Sequence, residues 1–435
     1  MTVAQLVATG LVLAYLSPHE QGYYYSFIAL IAVQGIFELG LSQVLVVFLA
    51  HEAIAVNRKG VDDYRPNRRS RAIACVSLQQ YFKLTVLFTV IMGIVGTAFF
   101  HVTQAGGSSD KGQLHWILPW WLLVASSALR LPLIWLEAVI EGLGEIRYVM
   151  LTRIVAQLVW LCTFFVALRS ELGLLAPAAA ALALVIASTT VYWPFRRAIR
   201  RLTHRPARQA LRIDWNREVA PMQRRVSGTW IASYLISSTP VPICFALLGA
   251  AEAGRAGVAF QVAAAIGVIA GAIVGPKISI ASRMVSAQLL HEYRRLLLRT
   301  VRLTLAASAT VAFLGVTILV ILPIAAPSLT NRLPSALETM PLLVAAVINS
   351  LMSCVAVFSR AQKTELFTVP LFLVAFVTVG GSLAANGFGG ILTITYLQAL
   401  GALCITLPFS VVAFRRTAAD EGLLRVPSAP RFPLD

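Results

Sequence analysis

Few charged side chains stand inside the long apolar runs of this chain, and those few set the chemistry open to it. Glu38 lies near the middle of one run, with Gln34 and Ser42 four residues to either side. On a continuous helix that spacing gathers all three on one face, where a carboxylate can exchange a proton, hold a cation or pair with a neighbouring helix. Arg130 stands in another run; it stays charged at any accessible pH, and its planar fork suits phosphate oxygens. Arg153 and Gln157, four residues apart in the next run, make a second cationic face. Charge in hydrocarbon costs several kcal/mol unless it meets a partner or a wet cavity. Glu38 is therefore the candidate ion-coupling group, and Arg130, Arg153, Gln34 and Gln157 are the candidate substrate-binding groups. The competing expectation is pairing within the protein, with Glu137 and Glu141 available to either arginine across a helix hairpin.

The runs that carry these residues are long enough to cross a bilayer, which takes about 20 apolar residues each. Twelve are read: 2–16, 22–50, 82–100, 114–136, 148–168, 172–194, 226–249, 256–276, 303–325, 339–358, 367–386 and 389–413. A composition 58% hydrophobic and 13% charged, with mean hydropathy +0.77, lies outside the range of soluble domains. No stretch alternates polar and apolar as barrel strands would, so the class is an all-α membrane protein.

A net charge of +17 would fit a nucleic-acid partner if the 36 Lys and Arg formed one patch. They do not. The loops or tail at 51–81, 137–147, 195–225, 277–302, 359–366 and 414–435 hold 29 of them, and the alternate loops hold 4. The basicity follows loop parity, so the positive-inside rule explains it, places both termini in the cytoplasm and leaves no role for nucleic acid. The richest loop, 195–225, carries ten arginines, with Trp193, Phe195 and Trp215 nearby. It is expected either as a surface helix against anionic headgroups or as a solvated linker.

That loop divides the chain into a six-span lobe at 1–194 and another at 226–413, with a cytoplasmic tail at 414–435. A weak repeat supports the division: Leu16-Ser17-Pro18-His19-Glu20-Gln21-Gly22 returns 232 residues later as Leu248-Gly249-Ala250-Ala251-Glu252-Ala253-Gly254. Six spans per half imply parallel repeats about an axis along the membrane normal. The same offset would start the first span about seven residues before Met1, so either an upstream start or a locally thinned bilayer is expected. Pro240 and Pro242 should bend or break span seven.

The five cysteines are scattered singly and the six histidines lack ligand spacing, so neither disulfides nor a metal site is expected. There is no Gly-rich phosphate loop, nucleophile elbow or large outside loop. No catalytic residue or cofactor is read, and the chain is not expected to be an enzyme.

Leu16 to Tyr25, followed by Phe37-Glu38-Leu39-Gly40-Leu41-Ser42, resembles the opening of Wzx-type oligosaccharide flippases, and Leu136 to Glu145 looks like the end of their fourth span. That group belongs to the superfamily that also holds multidrug (MATE) exporters and lipid II flippases. The resemblance covers the chain in outline and is specific over the first 50 residues and around 130–155. It departs at the short first span and the Ala-rich late spans. It implies two six-helix lobes around a central cavity, about 12 transmembrane helices in all. The cargo it implies is an undecaprenyl-diphosphate-linked oligosaccharide, moved across a bacterial inner membrane, with the diphosphate met by Arg130 and Arg153 and with proton or sodium coupling through Glu38. The alternatives are a MATE-like cation-coupled antiporter and a non-transporting component of a polysaccharide assembly system.

Overall fold

Each of the twelve apolar runs becomes helical, and the breaks within them decide where the charged side chains stand. The computed structural model describes residues 2–38, 40–54, 68–106, 115–203, 220–362 and 366–419. Among the described residues there is no strand. Nine helical stretches among the described residues are long and apolar enough to cross a membrane, and shorter apolar helices at Ala4–Tyr15 and Thr368–Ala384 fill the places of spans one and eleven. Span two is present as three consecutive pieces, so all twelve expected spans are accounted for. This is a multi-pass membrane fold.

Packing divides the chain into two compact units, one up to Gly257 and one from Val258. The first unit contains α1 (Thr2–Tyr15), α2 (Pro18–Ile31), α3 (Gln34–Glu38), α4 (Leu41–Ile54), α5 (Arg68–Gly106), α6 (Ile117–Gly142) and α7 (Ile146–Arg169). It continues with α8 (Ala176–Tyr192), α9 (Arg196–Thr203), α10 (Ala220–Ser237), α11 (Pro240–Leu248) and the start of α12 (Ala250–Val274). Span seven is interrupted between Ser237 and Pro240, where a proline has no N–H to continue the ladder. The basic loop is helical over α9, and residues 204–219 lie outside the described residues.

The weak repeat marks a physical contact. Ser17 caps α2 through a reciprocal pair: its hydroxyl accepts from the Glu20 N–H at 3.3 Å, and the Glu20 carboxylate accepts from the Ser17 N–H at 2.9 Å. The equivalent position before α12 is Gly249, at φ +90°. Gly22 abuts the Ala250 carbonyl so closely that a Cβ there would overlap it, while a Cβ on Gly254 would stand 3.2 Å from the Pro18 carbonyl. An offset of 232 exchanges Gly22 with Gly254 and Pro18 with Ala250, so the two contacts join equivalent positions of the repeat. Tyr25 and its equivalent, Gly257, touch directly. Gln21 adds a bond from its Nε2 to the Gly254 carbonyl at 3.0 Å. These contacts place residues 250–257 in the first unit although they follow the basic linker.

Below this crossing, buried rings lock α2, α5, α6 and α11 together: Tyr23 on Phe245 at 4.9 Å, Phe27 on Phe100 at 5.1 Å and Phe27 on Trp120 at 5.3 Å. Such edge and tilted contacts add to the area they bury.

The second unit holds the rest of α12, then α13 (Lys277–Ser286), α14 (Leu290–Ala325), α15 (Ala336–Ala361), α16 (Thr368–Ala375), α17 (Gly381–Ala384), α18 (Gly390–Gly401) and α19 (Leu407–Ala419). Its core joins α14 to α15 through Tyr293, whose hydroxyl donates to the Phe358 carbonyl at 2.8 Å. Spans eleven and twelve each contain a π-helical turn, at Phe376–Gly380 and Ala402–Thr406. Thr378 bonds its own helix at the Val374 carbonyl.

Candidate functional site

Span two is the element that sets the site. The expected continuous helix over 22–50 is corrected: α2 ends at Ile31, Ala32 and Val33 form a turn, and Gly40 adopts φ +71° before α4 begins. A side chain with Cβ is strained at that φ, so glycine makes the break feasible. Gln34, Glu38 and Ser42 therefore do not form one helical stripe. The Gln34 Nε2 turns to the Ser127 carbonyl of α6 at 3.1 Å. The Glu38 carboxylate folds back to accept from the Ser42 N–H at 3.2 Å, satisfying one of the free donors at the start of α4.

Glu38 has a second partner that sequence reasoning missed. The Tyr81 hydroxyl donates to the same carboxylate oxygen at 3.3 Å. Tyr81 is 0% exposed. In sequence it falls in a stretch read as loop, whereas α5 begins as early as Arg68. One turn earlier on α5, Ser77 accepts from the Trp135 indole of α6 at 2.9 Å, and Phe37 meets Phe88 edge-on at 5.4 Å. The break is thus held by α5 on one side and α6 on the other. Gly35 also lies against the Trp230 ring of α10.

Two contacts relate span two to α6. Gln34 with Ser127, within the break, and Leu49 with Gly142, beyond it, are both 93 positions apart, so the two spans run parallel. By that count Arg130 falls near the depth of Phe37. It shares a face with Ser127 one turn away. Arg130 is half-buried, and among the described residues no ion pair or hydrogen bond engages it. Pro132 follows within the helix, where its missing N–H leaves the Ala128 carbonyl without its ladder donor.

Arg153 has the opposite fate. Its Nε meets Glu137 at 3.3 Å and its Nη2 meets Glu141 at 3.4 Å. The α6–α7 hairpin explains the pairing. It turns at Gly144, φ +92°, and brings Ile140 against Val149, so residues 137–141 oppose 149–153. Residues opposite Arg130 in the same hairpin fall near Val159 and Trp160, which are apolar. One guanidinium against two carboxylates leaves this triad with a net negative charge. At about 1.5 Å per residue, its carboxylates lie about 10 Å or more along α6 from Arg130. Gln157 is half-buried, one turn beyond Arg153, with no hydrogen bond among the described residues. The structure thus holds Gln34 against α6, Glu38 against Ser42 and Tyr81, and Arg153 against Glu137 and Glu141, while Arg130 has no partner among the described residues. Among the described residues no group of three His, Cys, Asp or Glu could hold a metal ion.

The path of the whole chain matches solved transporters. An inward-facing multidrug resistance MATE family transporter of the MOP superfamily superposes with a TM-score of 0.72 at 16% identity, over 99% of this chain and 96% of that one. The fold is that of the MATE transporters. A Vibrio cholerae MATE transporter, VcmN, matches at 0.56 and 14% identity, over 97% of this chain and 94% of that one. A MOP superfamily transporter from Pyrococcus furiosus, described as having a binding pocket of reverse polarity that suggests a different function, matches at 0.62 and 14% identity, over 95% and 92%. No protein-family model matches the sequence, and no curated protein matches it. The MATE fold accounts for the two six-helix lobes that the apolar runs anticipate.

Proposed function

We propose that this chain is a flippase that turns a polyprenyl-diphosphate-linked oligosaccharide across the bacterial inner membrane during surface polysaccharide biosynthesis. In this reading the lobes 1–194 and 226–413 rock about the crossing at Gly22 and Gly254, with linker 195–225, tail 414–435 and both termini in the cytoplasm. The observation that carries it is Arg130. A half-buried guanidinium within a span, free of described partners, needs an anion, and a diphosphate presents paired oxygens that match its fork. Glu38 falls near the same depth when counted from the contacts of span two with α6, and in this proposal its charge state bears on that anion. A proton or sodium ion taken up there would couple the gradient to the cycle. Gln34 keeps its amide oxygen available to a sugar hydroxyl, and Gln157 offers a second amide.

Arg153 takes a different part in this proposal. With both its carboxylates in reach it holds the α6–α7 hairpin, and the charge of the triad disfavours a diphosphate. The lipid tail stays in the bilayer, so only the headgroup needs shelter, and no covalent step is involved.

A second reading, a MATE-like cation-coupled antiporter, is favoured by the solved neighbours and by a carboxylate at a helix break. Reconstituted vesicles separate the two. Leaflet transfer of a labelled polyprenyl-diphosphate sugar without export of organic cations supports the flippase; gradient-driven cation export without lipid transfer supports the antiporter. Neither activity would point to the non-transporting component.

A further inference from the structure

The basic end of span six carries a feature that the transport reading does not use. Beyond α8 the chain makes one tight turn at Trp193–Phe195 and continues as α9. Ala198 and Leu202 of α9 are buried, four residues apart, and the Cys75 thiol of α5 reaches the Thr203 carbonyl at 3.4 Å, which binds this short helix to the bundle. Arg196, Arg197 and Arg200 take the opposite face and are exposed. Trp193 is 60% exposed, and the Arg196 guanidinium lies over its ring at 4.9 Å while donating to its carbonyl at 3.3 Å. The cation is thereby held at the membrane end of the helix rather than extended into solvent. Directly beneath, Val185, Ile186, Thr189, Thr190 and Trp193 line an open groove of about 510 Å³. Both threonine hydroxyls are turned into their own helix, to the Val185 and Ile186 carbonyls at 2.8 and 2.9 Å, so the groove presents methyl groups and an indole.

An apolar groove that ends at three arginines complements one kind of molecule. The geometry points to a site for an anionic phospholipid of the basic-side leaflet, its phosphate against Arg196, Arg197 and Arg200 and an acyl chain along Val185, Ile186 and Trp193. Position agrees: counted from Gly173 at about 1.5 Å per residue, Trp193 lies about 30 Å along span six, at headgroup depth. A zwitterionic lipid would fill the groove equally well but would gain less from the arginines. The site therefore selects by headgroup charge and anchors the amino-terminal end of the basic linker to the membrane.

Native mass spectrometry of the full chain in detergent, titrated with phosphatidylglycerol and with phosphatidylcholine of the same acyl chains, tests this. The wild type should retain phosphatidylglycerol about tenfold more strongly. R196Q/R197Q/R200Q, all exposed changes that spare the core, should bring the two lipids within about twofold of each other. R294Q/R295Q/R299Q, an equal charge loss on exposed α14 positions, should leave the preference intact. I186W, which fills the groove and keeps every charge, should weaken retention of both lipids. Equal retention of the two lipids by the wild type, an undiminished preference in the α9 variant, or an equal loss in the α14 variant would each overturn the assignment.

Discussion

Two arginines sit on the same helix hairpin, and they teach opposite lessons about charge in a membrane. Arg153 stands where the hairpin opposes residues 149–153 to 137–141, and it finds two carboxylates. Arg130 stands two turns and more deeper, where the same hairpin opposes it with apolar side chains, and finds none among the described residues. Composition treats the two alike. Position on the hairpin separates them, because a pair needs its partner at the matching depth, and the turn at Gly144 fixes which depths match. A paired charge is explained by its fold; an unpaired one asks for a ligand.

The comparison can be broken most forcefully at Arg130. Replacing it with Gln removes one charge-assisted contact to the headgroup, worth about 1.5–3 kcal/mol, so leaflet transfer of a labelled diphosphate lipid should fall by about tenfold to a hundredfold. Protein level and membrane insertion should stay unchanged. Next in size, Glu38→Gln should remove most of the stimulation by a proton or sodium gradient while leaving downhill transfer measurable; full gradient sensitivity in that variant would return Glu38 to a capping role at α4. Tyr81→Phe keeps the ring and deletes the hydroxyl with its 3.3 Å bond to Glu38. Its loss is about 0.5–1.5 kcal/mol, and gradient-driven transfer should drop by about twofold to tenfold. Smallest is Arg153→Gln. The side chain is 45% exposed, so screening limits the ion pairs to about 1 kcal/mol at most. Thermal unfolding in detergent should shift by no more than a few degrees, with transport near the wild-type rate.

Much of this fold was legible in the sequence. Hydropathy located all twelve spans, since each must supply about 20 apolar residues to hydrocarbon. Three coincident letters in the repeat marked the place where the chain crosses itself, because a side chain at Gly22 would overlap the Ala250 carbonyl and one at Gly254 would crowd the Pro18 carbonyl. Pro240 announced the interruption of span seven. The break in span two was not read: Gln34, Glu38, Gly35 and Gly40 interrupt an otherwise apolar run, but a hydropathy window averages over them and does not register a turn secured by a positive φ. Tyr81 was hidden for a related reason, because α5 runs about 14 residues before its apolar stretch begins. The pairing of Arg153 was stated as one of two outcomes, and the hairpin register that decides it can be counted from Gly144 once the turn is known.

The central claim is that Arg130, and not Arg153, receives an anionic headgroup. The most direct measurement is leaflet transfer of a labelled polyprenyl-diphosphate sugar by wild type, Arg130→Gln and Arg153→Gln side by side in the same proteoliposomes. The account predicts transfer by the wild type and Arg153→Gln and its loss in Arg130→Gln; transfer by Arg130→Gln at the wild-type rate would contradict it.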